Sequence, residues 1–203
     1  MITNAEILER LNKGLSYAEY MDRMEIKILT SNIAAMDKDT EYFFEYTKLN
    51  LQRSLRIDKS YTVPEELKRI IKSIKDDQFW LVLTEDWCGD SAQILPFLSH
   101  YAKLNQHIKM KILLRDQNPD IMDRYLTNGT RGIPKLISYS KDGTELFTWG
   151  PRPREAQELV NKLKAEGMPK NDMYQQLHIW YSQNKGIAVE QEFSVLLKTA
   201  FNL

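Results

Sequence analysis

Phe79-Trp80-Leu81-Val82-Leu83-Thr84-Glu85-Asp86-Trp87-Cys88-Gly89-Asp90-Ser91 is the stretch that decides how this chain reads. Its first five residues form an unbroken apolar run, the pattern of a strand covered on both faces inside a sheet. Acidic and small residues end the strand. A helix is expected from Ser91 to about Gln106, with Pro96 inside it as a kink. The turn thus places Cys88, the only cysteine, where a helix begins. Unpaired N–H groups and the macrodipole at such an end favour an anion. A free thiol is only about 3% thiolate at pH 7, and lowering its pKa to about 7 raises that to about half. The Ser91 hydroxyl is spaced to donate to a Cys88 thiolate, whereas Glu85, Asp86 and Asp90 supply negative charge that opposes ionisation.

Outward from this stretch, the period of the apolar residues changes twice. Upstream, Asn4 is expected to cap a helix over Glu6–Lys13 that Gly14 ends, and Ser16 caps a second. In that second helix Tyr17, Tyr20, Met21, Met24 and Ile28 recur at helical spacing, as a core-facing stripe. Asp39 or Thr40 starts a third, with Phe44, Leu51 and Leu55 near one face. A fourth runs from Pro64, at its first turn, to about Lys75. Downstream, Ile108–Leu114 reads as a strand, and Pro119 opens a short helix through Leu126. Lys135–Tyr139 and Glu145–Trp149 form a hairpin about Lys141-Asp142-Gly143. A helix begins at Pro153 and closes at Gly167, and helices follow over about 171–184 and 188–201. This order implies an α/β fold: a mixed central sheet flanked by helices, with extra helices at both ends.

Composition narrows the function classes. The 28 basic and 28 acidic side chains cancel, which argues against a broad electrostatic nucleic-acid surface. With 42% hydrophobic and 10% aromatic residues, the chain is not largely disordered. No apolar run nears the roughly 18 residues of a membrane span. The first residues lack the basic and apolar regions of a signal peptide, so a cytoplasmic location, away from membranes and nucleic acid, is expected. One cysteine excludes an intramolecular disulfide. His100, His107 and His178 make no i, i+4 pair, so no metal site is expected, and no cofactor. Arg152 and Arg154, bracketing Pro153, read as a solvated pair.

Trp87-Cys88-Gly89-Asp90-Ser91 resembles the Trp-Cys-Gly-Pro-Cys motif of the thioredoxin family, with Ser91 in place of the second cysteine. Pro96 stands where thioredoxins kink the active-site helix, and Asp116-Gln117-Asn118-Pro119 is similar to their segment after the next strand. Arg131-Gly132-Ile133-Pro134 resembles the turn before the family's cis-proline, and Lys141-Asp142-Gly143 the hairpin turn after it. More narrowly, Trp87–Gln93 and Trp149–Pro153 resemble a bacterial monothiol thioredoxin-like group. The collinear matches run from about Phe79 to Gly167. They imply a thioredoxin-like domain over 61–167, an N-terminal helical extension over 1–60 and a C-terminal one over 168–203, packed on the core.

The resemblance implies Cys88 and Ser91 as catalytic residues, and Trp87, Gly89, Asp90, Ile133 and Pro134 as the substrate-binding surface. A cis Ile133–Pro134 bond would turn a backbone edge towards Cys88, able to pair with an extended peptide. Two departures change the chemistry. Ser91 cannot attack a mixed disulfide, so resolution needs an outside thiol. Val82 stands where thioredoxins bury an aspartate. The expected activity is monothiol thiol-disulfide exchange through Cys88 on a protein or low-molecular-weight thiol or disulfide. The alternatives are a non-catalytic peptide- or protein-binding module and a single-cysteine redox sensor. A homodimer through the added helices is a further expectation.

Overall fold

The computed structural model describes residues 3–203. Four helices come first: α1 (Asn4–Lys13), α2 (Tyr17–Thr30), α3 (Lys38–Ser60) and α4 (Glu65–Ser73). Strand β1 (Gln78–Thr84), helix α5 (Gly89–Lys103), strand β2 (Ile108–Leu114) and the short helix α6 (Pro119–Met122) follow. Strands β3 (Lys135–Ser140) and β4 (Glu145–Trp149) precede α7 (Arg154–Ala165), α8 (Lys170–Asn184) and α9 (Ile187–Phe201). The strand order is β2-β1-β3-β4, with β1 parallel to β2 and antiparallel to β3, so the sheet is mixed. This is the thioredoxin-like arrangement expected from the motif order.

The apolar run of β1 divides between two cores, as a period of two demands. Trp80 and Val82 join a large cluster beneath α2, α4, α5 and α9, while Leu81 and Leu83 join a smaller one with Ile7, Leu11, Ile121 and Met122. All four are fully buried. The C-terminal helix seals the larger cluster. Phe193 of α9 stands 5.8 Å from Trp80, 5.4 Å from Tyr101 and 5.2 Å from Trp149 between ring centroids.

Several boundaries differ from the sequence expectations by a residue or more. Thr3, not Asn4, caps α1, because its hydroxyl accepts the Glu6 N–H while Glu6 reaches back to the Thr3 N–H. Asp37 caps α3, two residues earlier than Asp39. Pro64 is the cap of α4 rather than its first residue. Leu55 is 46% exposed and does not share the buried face of Phe44. Helix α5 starts at Gly89, so Cys88 itself is its cap, and α6 stops four residues before Leu126.

Helix α3 is tied to α5 at a point that Pro96 creates. A proline at that position has no N–H to give the carbonyl four residues earlier. That carbonyl belongs to Ala92, and the buried Ser54 hydroxyl of α3 donates to it at 3.4 Å. The turn after β4 is equally constrained. Gly150 has φ 105°, and a Cβ there would lie 2.4 Å from the Pro134 carbonyl oxygen. Gly150→Ala is therefore expected to cost more than about 1 kcal/mol, read as a lower denaturant midpoint with an unchanged slope.

Candidate functional site

The turn between β1 and α5 is clamped by side chains from α2 and α3. Asp86 pairs with Lys27 at 2.7 Å and accepts from the Thr47 hydroxyl at 3.0 Å, while its backbone carbonyl accepts from Asn50 at 3.0 Å. Glu85 accepts the Asp116 N–H at 2.8 Å, and burial pushes its carboxyl above the usual range. The indole of Trp87 lies between the Phe43 ring, 5.1 Å away, and the Arg115 guanidinium, 5.0 Å from its centroid. These residues fix the loop before the sulfur from both sides.

Cys88 is buried, at 8% exposure, and its thiol donates to the Ile133 carbonyl at 3.4 Å. The Ile133–Pro134 bond is cis, as the resemblance implied, and so is Gly150–Pro151, which the sequence reading did not mark. The carbonyl expected to face a docked peptide thus already holds the thiol proton, and Ile133 is buried at 6% exposure. Ser91 Oγ accepts from Thr84 Oγ1 at 2.6 Å, which frees its own proton. The Ser91 hydroxyl and the N–H groups of Ser91 and Asp90 favour a thiolate, in the direction expected of a helix start. Burial outweighs them, the Asp90 carboxylate adds to it, and together they push the thiol up to about 11. At rest the sulfur is a protonated donor.

Asp90 organises the surroundings. Arg152 reaches its Oδ2 through Nη2 at 2.5 Å and Nε at 3.1 Å, and the Tyr181 hydroxyl donates to Oδ1 at 2.7 Å. The side chains of Arg152 and Asp90 are 15% and 9% exposed. Arg152 is therefore not half of a solvated pair. A buried carboxylate demands a cation, and the turn after β4 supplies it. Arg154, by contrast, is 83% exposed as expected. Among the described residues, no group of three or more His, Cys, Asp or Glu side chains is arranged to hold a metal ion.

Over Cys88, helices α3 and α8 form a small cleft of about 150 Å³. Phe43, Tyr46, Trp87, Tyr174 and His178 line it, with Cys88, Gly89 and Asp90 at its floor. His178 lies against Gly89, where a Cβ would sit 3.0 Å from the imidazole Cε1. Burial, then the Arg53 charge, pull the His178 pKa down to about 4, against the opposing pull of Asp90. Nothing in the spacing of His178, Tyr181 or Arg53 marks them, because they meet the motif only through the packing of α3 and α8. The one available signal was Arg152, inside the Trp149–Pro153 match.

A thioredoxin fold with one sulfur in its two-cysteine motif is the class these features define. A family model described as thioredoxin matches residues 36–164, and the chain belongs to that family. No curated protein sequence matches it. Among solved structures, a crystal structure of an HIV epitope-scaffold is 16% identical with a TM-score of 0.56, covering 91% of this chain and 99% of that one. A crystal structure of a protein of unknown function from Pseudomonas aeruginosa is 17% identical with a TM-score of 0.53, covering 92% and 99%. At those identities the likeness carries the fold alone. No helix among the described residues is long and apolar enough to cross a membrane.

The depressed His178 pKa links the cleft to stability. An unfolded chain protonates this residue below about pH 6.5, whereas the folded protein resists until about 4. The folded state therefore binds fewer protons in that window and loses stability as pH falls through it. Urea melts at about pH 7.5 and pH 5 should show a smaller loss in His178→Gln than in the wild type.

Proposed function

We propose that this thioredoxin-fold protein is a binding module, whose aromatic cleft between α3 and α8 receives a small ligand or side chain above a protonated Cys88. The observation that carries the reading is the state of the sulfur: buried, donating to Ile133, beside a carboxylate and pushed up to about 11. At neutral pH only about one thiol in ten thousand would be ionised, and the thiolate is the nucleophile. Ser91 removes the internal attacker as well. Trp87, Gly89 and Asp90 then serve as wall and floor of a binding site.

Thiol-disulfide exchange is the second reading, favoured by one observation: the cis Ile133–Pro134 turn directly faces the sulfur. In it the Cys88 thiolate would attack a protein or low-molecular-weight disulfide, form a mixed disulfide and expel one thiolate. An outside thiolate would then attack the partner sulfur, forming a new disulfide with it and expelling Cys88 as its thiolate. Cover from α3 and α8 would have to move aside first.

The alkylation rate of Cys88 against pH decides between the two. Under the binding reading the apparent pKa lies above 10, and the rate at pH 7 is roughly a hundredfold or more below that of free cysteine. An apparent pKa below about 8.5 would overturn it in favour of exchange. A reduction assay on insulin supplies a second criterion. The wild type should show no turnover without an added thiol, and Ser91→Cys little gain while the cleft stays closed. A large gain in that variant would mean that the motif retains reductase geometry.

A further inference from the structure

The cleft continues past His178 into a groove between α3 and α8 that reaches Arg53. The Arg53 guanidinium is more than half buried, which works against its charge. It donates to the Asn50 side-chain oxygen at 3.1 Å, and among the described residues no carboxylate pairs with it. A cation so placed normally answers an anion. The nearby acids are already engaged: Asp90 by Arg152 and Tyr181, and Glu45 by Lys48 at 2.9 Å.

One further group points the same way. His178 Nδ1 is buried without a hydrogen-bond partner, and this imidazole shares the Gly89 surface with Arg53 Nη1, which a Cβ there would approach to 3.7 Å. One end of the groove is therefore cationic with a free donor or acceptor site, and the other is aromatic and ends at the thiol.

We propose that this groove binds a small organic carboxylate: its carboxylate seated on Arg53, with His178 beside it, and its apolar body among Tyr46, Trp87 and Tyr174 above Cys88. The proposal rests on the binding reading of the cleft and adds the chemical class of the ligand. Arg53 suits the role because a planar guanidinium can hold a carboxylate through two parallel hydrogen bonds.

Calorimetric titration of the full chain with benzoate, phenylacetate and 3-phenylpropionate, each against its neutral amide, tests it. At least one acid should bind saturably, about tenfold or more tighter than its amide. Arg53→Gln should abolish that preference, Arg53→Lys should keep part of it, and Arg154→Gln should leave it unchanged. Should Arg53→Gln fail to fold, Arg53→Lys and the acid–amide comparison on wild type still decide. Equal affinity for acids and amides overturns the carboxylate assignment while leaving the cleft reading standing. No saturable binding by either series overturns both.

Discussion

Asp90 carries its carboxylate into a site with 9% side-chain exposure, and two other parts of the chain answer that one charge. Arg152 comes from the turn after β4, Tyr181 from α8, and the acid itself from the first turn of α5. Removing one partner from such a buried pair costs about 3–5 kcal/mol, because the remaining charge stays desolvated and unmatched. The knot is thus the point at which the C-terminal helices are fastened to the motif. It also fixes where the lid of the cleft lies, since Leu177 and His178 precede Tyr181 by one turn on the same helix.

The same carboxylate joins burial, the larger cause, in setting the chemistry of the sulfur. A helix N-terminus, two amides and a serine hydroxyl all favour a thiolate at Cys88, and in an open site they would prevail. Here, desolvation and Asp90 act together in the opposite direction and win. Val82, fully buried, cannot itself move a proton as a buried aspartate would. Thioredoxin geometry is present around the cis Ile133–Pro134 turn, but the electrostatics are those of a neutral thiol that donates a hydrogen bond.

The fold was legible because its signals are local. Five apolar residues in a row named β1, the Lys141-Asp142-Gly143 turn named the hairpin, and the Trp87–Ser91 stretch placed the sulfur at a helix start. What the sequence concealed is long-range. Arg152 looked solvated beside Arg154 at a helix start, yet its partner lies 62 residues away. Tyr181 and His178 fall in a helix of weak amphipathicity and meet the motif only after α8 has docked. The sign of the thiol shift could not be read from neighbours, because burial, its largest cause, is a property of the packed molecule. The caps of α1 and α3 moved by a residue or two since several adjacent Thr, Asn and Asp residues compete for each position.

The bond from Ser54 to the Ala92 carbonyl, together with the Lys27, Thr47 and Asn50 contacts to Asp86, has an implication for how this protein can be subdivided. The motif helix leans on α3 for the donor that its own proline cannot supply, and the loop before it leans on α2. A fragment trimmed to the strands and helices that carry the recognisable motif would strand a carbonyl and an aspartate in the interior. The leading helices are for that reason inheritance partners of the motif, and sequence variation in either half would be felt by the other.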